Sequence, residues 1–119
     1  MLIPVPSRIL VSTTAVDLRK SIDGLAALVE VTLGERPLSG AMFVFTNRRK
    51  TGIKLLVWSH GGFTLLYKKL ERGRFVLPQV EGDRAAVTTA ELAALLEGID
   101  LSGARRLSRW NPPDRPCVE

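Results

Sequence analysis

Apolar residues near the start of the chain change from a strand-like run to a helix-like spacing. The run Arg8–Ser12 is short and β-branched, which predicts a strand. Between Val16 and Leu33, apolar residues recur at intervals of three or four, which predicts one helix with a single apolar stripe. The stripe consists of Leu18, Ile22, Leu25, Val29 and Leu33. Asp17 is placed to cap the start of this helix, and Gly34 and Pro37 end it.

Four β-rich runs follow in the middle of the chain. They are Met42–Thr46, Ile53–Ser59, Phe63–Leu70 and Arg74–Leu77. Turns of three to six residues join them, which predicts an antiparallel meander. Neither Ile53–Ser59 nor Phe63–Leu70 alternates cleanly between apolar and polar residues, so both faces of the sheet are expected to be covered. We expect the helix on one face and a partner or a ligand on the other.

The last third of the chain predicts a short strand and a short helix. Arg84–Thr88 has the pattern of a fifth strand, and Thr88 with Glu91 forms a capping box before a helix at Thr89–Glu97. The predicted fold class is α+β: an antiparallel β-meander of four to six strands packed against one long and one short helix. A partly closed barrel is the alternative. Residues 1–103 are expected to form a single domain, and residues 104–119 a basic, proline-rich, flexible tail.

Composition narrows the classes of function. The chain has 119 residues, 45% of them hydrophobic, which fits one folded domain and argues against intrinsic disorder. The sequence shows neither an apolar stretch long enough to span a membrane nor a signal peptide, so we expect a cytoplasmic protein without a membrane partner. With Cys117 and His60 the only residues of their kinds, an internal disulfide and Cys- or His-rich metal sites are excluded. No cofactor is expected.

The net charge of +5 is concentrated in the middle of the chain. Residues 40–75 carry eight basic side chains against one acid, Glu71, for a local charge of +7, whereas residues 76–104 carry −4. The eight basic residues are Arg48, Arg49, Lys50, Lys54, Lys68, Lys69, Arg72 and Arg74. Such an excess favours a polyanionic partner, so we interpret them as candidate nucleic-acid-binding residues. Ordinary solvated turns and strand ends are the alternative interpretation.

The meander predicts where these charges lie. Alternate turns lie at the same end of the sheet, so all of the basic residues except Lys54 should gather near one end. The turn His60–Gly62 should then lie at the other end. Trp58 and Tyr67 could add stacking on unpaired bases or contact a partner, although packing in the core is the commoner role of such aromatics.

No catalytic residue is assigned. The sequence contains no phosphate-binding glycine motif, and Ser59 and His60, as neighbours in a strand, would point to opposite faces. We interpret His60 as a turn residue and Cys117 as an incidental thiol. A metal-dependent nuclease would need two or three convergent carboxylates, and sequence spacing leaves open a site that folding alone assembles.

Four motifs carry a resemblance to a known family. They are RK-x-x-DGLA from Arg19, FVF-x-NRR from Phe43, KLL-x-W from Lys54, and YK-x-LERGRF from Tyr67. Together, over about Arg8–Leu96, the chain resembles the TnpB accessory proteins of the insertion sequence sixty-six family of bacterial transposons. That family is distinct from the RNA-guided nuclease of the same name. The chain departs from its pattern at His60–Gly62, where an acidic turn is commoner, and at Leu77, where an aromatic residue is commoner.

The resemblance implies a protein encoded beside a separate transposase and needed for transposition, with no catalytic residue set to transfer. We therefore predict a non-catalytic accessory protein for transposition of an insertion sequence, a form of DNA recombination. Its expected partners are DNA, at the transposon ends or the target, and the transposase of the same element. One alternative is a subunit that docks the transposase without touching DNA. A weaker alternative is a metal-dependent nuclease.

Overall fold

The computed structural model describes residues 6–98. The predicted tail at residues 104–119, with Cys117, lies outside the described residues, as do residues 1–5 and 99–103 of the predicted domain. In chain order the elements are β1 (Ile9–Ser12), α1 (Ile22–Val31), a 3₁₀ turn (Pro37–Ser39), β2 (Met42–Thr46), β3 (Gly52–Ser59), β4 (Gly62–Lys69), β5 (Arg84–Val87) and α2 (Thr89–Leu96). The α+β class is confirmed. Neither of these two helices is long and apolar enough to cross a membrane.

The five strands form one open, mixed sheet in the order β4-β3-β2-β1-β5. The segment β2-β3-β4 is the antiparallel meander that was predicted, but β1 pairs with β2 in parallel. The prediction of an all-antiparallel sheet is therefore wrong, because α1 carries the chain back along the sheet before β2 begins. The sheet of the described residues has β4 and β5 as its two edges, so it is not closed, and the alternative of a partly closed barrel is not confirmed.

The predicted fourth strand of the meander, Arg74–Leu77, is not a strand. The backbone N–H of Phe75 donates to the carbonyl of Lys50, at 2.7 Å, and Phe75 and Leu77 are buried in the core instead of extending the sheet beyond β4. This extended segment covers one face of the sheet. Its alternation of buried and less buried residues is the same as that of a half-buried strand, which explains the error.

Two separate cores explain why the strands are apolar on both faces. On one face, α1 packs through Leu25 and Val29 against residues such as Phe43. On the other face, α2 packs through Leu92 against residues such as Val44, and the segment Phe75–Leu77 packs into the same core. The second face, which the sequence analysis assigned to a partner or ligand, is therefore covered by the chain itself.

The two helices start differently from one another. Helix α2 has the predicted capping box, in which the Thr88 hydroxyl accepts from the Glu91 N–H at 3.0 Å, and the Glu91 carboxylate accepts from the Thr88 N–H at 2.9 Å. Helix α1 begins at Ile22, later than predicted, and Asp17 does not cap it. The Asp17 carboxylate instead accepts from the Arg19 N–H at 3.0 Å, which closes a local turn. Leu18 nevertheless packs against the α1 core, as the apolar stripe requires.

Candidate nucleic-acid interface

Strand pairing brings the predicted basic residues to one end of the sheet. The β2–β3 turn lies beside the last residues of β4, because Gly52 pairs with Lys69 and the Leu70 N–H donates to the Thr51 carbonyl at 2.8 Å. The bond between Phe75 and Lys50 ties the following segment to the same turn. We call this region the basic end; its members are Arg48, Arg49, Lys50, Lys68, Lys69, Arg72 and Arg74. The turn at His60 and Gly61 lies at the opposite end, as predicted.

Asn47 builds the turn that carries three of these cations. Its side-chain carbonyl accepts from the N–H groups of Thr51, at 2.9 Å, and Gly52, at 3.2 Å, while its amide donates to the Thr51 hydroxyl at 3.1 Å. Its backbone carbonyl accepts from the Lys50 N–H at 3.0 Å. Arg48 and Arg49 lie exposed at the tip of this turn. The sequence analysis placed this turn but did not assign Asn47 a role, although Asn at the start of a polar turn is typical of this arrangement.

Lys50 adopts a backbone conformation that non-glycine residues rarely take. Its φ is 60°, in the left-handed region. An L-residue pays about 1–2 kcal/mol to remain there, and glycine would relieve most of that cost. Strain of this kind is concentrated at functional positions in proteins. The Lys50 side chain is therefore a particular candidate for a function at the basic end.

Two of the eight predicted binding residues donate hydrogen bonds to backbone carbonyls of the fold. Lys54 is only 9% exposed, and its Nζ donates to the Lys20 carbonyl at 2.9 Å and lies 5.2 Å from the centroid of the Tyr67 ring. Lys68 donates from Nζ to the Leu96 carbonyl at 2.6 Å, at the end of α2, where the helix dipole favours a cation. The remaining six have no hydrogen bond or ion pair from their side chains to any residue among 6–98.

Two grooves flank the β2–β3 turn. One, of about 670 Å³, is lined by Lys50, Arg74, Thr13 and the segment Phe75–Glu81. The other, of about 500 Å³, we call the tyrosine groove. Its lining residues are Ala15, Val16, Asp17, Leu18, Arg19, Asn47, Arg48 and Tyr67. The turn thus contributes Lys50 to one groove and Arg48 to the other.

The two candidate stacking residues occupy different places. Tyr67 is 57% exposed and pairs with Lys54 near the basic end. Trp58 is half-buried, pairs with Phe63 and contacts it edge-to-face, with the ring centroids 5.0 Å apart. Lys54 and Trp58 are four positions apart in strand β3, a distance of about 13 Å. Trp58 and Tyr67 therefore do not form one stacking platform.

Arginines bind three acidic side chains of the fold, those of Glu35, Asp17 and Asp83. The Glu35 carboxylate pairs with Arg8, at 2.6 Å, and with Arg84. Hydrogen bonds from the Arg19 guanidinium, followed by the one from its backbone N–H, lower the pKa of Asp17 from 3.8 to about 2. The hydrogen bond from Arg84 likewise lowers the pKa of Asp83. Among residues 6–98, no three His, Cys, Asp or Glu side chains are grouped so that they could hold a metal ion.

The opposite end of the sheet has a different surface. The 3₁₀ turn leads into the start of β2 there, and α1 ends there. Two apolar residues are unusually exposed in this region, Val31 at 84% and Leu38 at 58%. Together with Trp58 they define what we call the apolar end. The molecule therefore has a basic end and an apolar end, separated by the length of the strands.

Comparison with known proteins agrees with the resemblance seen in the motifs. Residues 7–106 match the family described as IS66 Orf2-like protein. Two proteins of Sinorhizobium fredii are similar along most of their length, and both bear only the description of uncharacterized protein. One, y4hO, is 42% identical over 94 residues, which are 78% of this chain and 81% of y4hO. The other, y4jC, is 34% identical over 109 residues, 92% of this chain and 90% of y4jC. No solved structure matches the chain.

Proposed function

Because this chain belongs to the family of IS66 Orf2-like proteins, it is an accessory protein associated with transposition, and we propose that it binds DNA through the basic end. The observation that carries the proposal is the set of six cations without an internal partner among residues 6–98. Three of them lie on the β2–β3 turn that Asn47 holds in place, and the other three lie beside that turn, at the end of β4 and just after it. A rigid array of this kind can neutralise several phosphates at once, with little loss of backbone entropy on binding.

Contacts between basic side chains and phosphates determine how the affinity for DNA should depend on salt and on sequence. Lysine and arginine on phosphates give affinity that depends on salt and little on sequence. Six contacts of this kind correspond to a slope of about −5 when the logarithm of the association constant is plotted against that of the salt concentration.

Fluorescence anisotropy with labelled DNA tests the proposal. We expect binding at about 50 mM salt that weakens steeply by about 200 mM. Arg49→Glu should weaken binding at least about tenfold, because it replaces a phosphate contact with a repulsive charge. Arg36→Glu is the matched control: it makes the same charge change at an exposed position beside the 3₁₀ turn, at the apolar end. No binding at low salt, or equal losses from both variants, would contradict the proposal.

We also propose that the protein does not cleave DNA. In support, the carboxylates of Asp17, Glu35 and Asp83 accept hydrogen bonds from arginines, and that of Glu91 accepts one in the capping box of α2. These four groups therefore serve the fold. Incubation of the purified protein with supercoiled DNA and Mg²⁺ or Mn²⁺ should leave the DNA intact. Metal-dependent nicking that copurifies with the protein would support the nuclease alternative instead.

A second candidate function is direct docking of the transposase at the apolar end. The exposure of Val31 and Leu38 favours it, because large aliphatic side chains at the centre of an interface contribute to binding when they are removed from water. Co-purification with the transposase in nuclease-treated extracts would test it. Leu38→Glu should abolish capture, and Arg49→Glu should leave it unchanged. The opposite pattern would assign the contact with the transposase to the basic end.

A further inference from the structure

Tyr67 combines high exposure with a fixed position. The Lys54 Nζ lies over its ring, 5.2 Å from the centroid, and is itself held by the Lys20 carbonyl. The ring also lies close to the backbone of β3 at Gly52. A Cβ atom there would come within 3.3 Å of Tyr67 Cε1 and 3.1 Å of Leu18 Cδ1. The chain thus holds an aromatic ring at the surface, in a place that a larger residue at Gly52 would disturb.

Besides this ring, the tyrosine groove is lined by three charged side chains, those of Arg48, Arg19 and Asp17. Arg48, from the tip of the β2–β3 turn, has no hydrogen bond or ion pair to a side chain within residues 6–98. Arg19 is bound to Asp17 through both carboxylate oxygens, at 2.8 Å and 3.1 Å, so the charges of that pair largely compensate. The groove therefore has one uncompensated cation, one nearly neutral polar wall and one aromatic surface.

We propose that the tyrosine groove binds an unpaired nucleobase, stacked on Tyr67, with the adjoining phosphate at Arg48. The inference rests on the proposed function and extends it from duplex DNA to DNA that has unpaired nucleotides. Aromatic rings stack on bases whose faces are free, and a continuous duplex offers such faces only at its ends. The nearly neutral pair of Arg19 and Asp17 gives a phosphate no net attraction on this wall, whereas the Asp17 carboxylate can still accept a hydrogen bond from an amino group of a base. The volume of about 500 Å³ is in the range of small-ligand sites.

Fluorine NMR gives a direct readout, because Tyr67 is the only tyrosine of the chain. Protein labelled with meta-fluorotyrosine should show one resonance. Titration with a single-stranded oligonucleotide of about 15 nucleotides should shift that resonance, because a stacked base changes the local field. A hairpin duplex closed at one end and capped at the other, of the same charge, should bind without shifting it. An unchanged resonance with bound single-stranded DNA would overturn the inference.

Variants of the ring separate stacking from charge. Tyr67→Leu should weaken single-stranded binding about fivefold to a hundredfold and leave capped-duplex binding within about twofold of the wild type. Tyr67→Phe retains the ring and should bind single strands nearly as the wild type does. Trp58→Leu is the matched control, since it removes an aromatic ring at the apolar end and should change neither affinity. Thermal unfolding of each variant establishes that the fold is intact.

The outcomes distinguish the inference from the function on which it rests. Binding to both DNA forms that Arg49→Glu weakens and Tyr67→Leu does not would retain the proposed function and overturn the tyrosine groove. Absence of binding to either form would overturn both. If Tyr67→Leu instead abolished capture of the transposase while single-stranded binding was unchanged, the groove would be a protein contact, and the inference would again be wrong.

Discussion

Replacement of Lys50 by glycine should make the protein more stable and a weaker DNA binder. The residue holds a φ of 60°, which costs an L-residue about 1–2 kcal/mol. Glycine adopts this conformation freely but loses about 0.5–1 kcal/mol through the greater entropy of its unfolded chain. The backbone bonds of Lys50, from its N–H to the Asn47 carbonyl and from the Phe75 N–H to its own carbonyl, remain available to glycine. The free energy of unfolding should therefore rise by about 0.5–1 kcal/mol, and the melting temperature by about 2–5 °C.

The same substitution removes one cation from the basic end. If Lys50 contacts a phosphate, the salt slope of DNA binding should become shallower by about 0.9. Arg49→Gly is the matched control, because it removes the same charge from the neighbouring position, where φ is not positive. That variant should lose affinity and also lose stability. A Lys50→Gly protein that is less stable than the wild type would refute the strain argument, and an unchanged salt slope would refute the contact.

Three further predictions concern groups at or near the same end of the sheet. Thr46 is 1% exposed, and its hydroxyl has no hydrogen-bond partner in the described part of the chain. Thr46→Val should therefore raise the free energy of unfolding, measured by urea denaturation, by about 1 kcal/mol. A lower free energy of unfolding would show that the hydroxyl has a partner. Lys54→Met should lower stability by about 1.5–3 kcal/mol, through loss of the bond to the Lys20 carbonyl, and leave the salt slope of DNA binding unchanged. The pKa of Asp17 should lie near 2 when it is followed by carbon-detected NMR. Its contribution to stability is therefore complete above its ordinary pKa of 3.8 and is lost as the pH falls through about 2. Arg19→Ala should return the pKa of Asp17 toward 3.8.

Local patterns predicted most elements of the fold but not how β1 joins them. The hairpins β2–β3 and β3–β4 follow from short turns, and α2 from its capping box, because each signal lies within a few neighbouring residues. The direction of β1 relative to β2 follows from the crossover through α1, which joins parallel strands, but the residue pattern within β1 does not show which strands it pairs with. The extended segment Phe75–Leu77 shows the complementary limit. Burial of every second residue indicates an extended chain. It does not show whether that chain pairs with a strand of the sheet or packs on the face of the sheet.

The basic end could be located from the sequence, because turn positions fix which residues share an end of a meander. Which of these basic side chains form hydrogen bonds within the fold could not be predicted from the sequence. Lys54 has apolar neighbours in Leu55 and Leu56, a sign that both faces of the strand are covered, yet its bond to the Lys20 carbonyl depends on where α1 begins. Lys68 depends in the same way on where α2 ends. Exposure of Tyr67 at a groove likewise follows from the turn before α1, which the sequence analysis interpreted as helix.

The hydrogen bonds of Lys54 and Lys68 within the fold change the salt slope expected for DNA binding. Eight predicted cations would correspond to a salt slope of about −7, whereas the six without internal partners among residues 6–98 correspond to about −5. Lys54 cannot reach a phosphate while it is buried beneath Tyr67, because withdrawing it would leave the Lys20 carbonyl unpaired. Lys68 is exposed and bonded at the surface, so its release costs less. A slope steeper than about −5 would therefore indicate that Lys68 changes partner on binding, or that arginines beyond residue 98 join the interface.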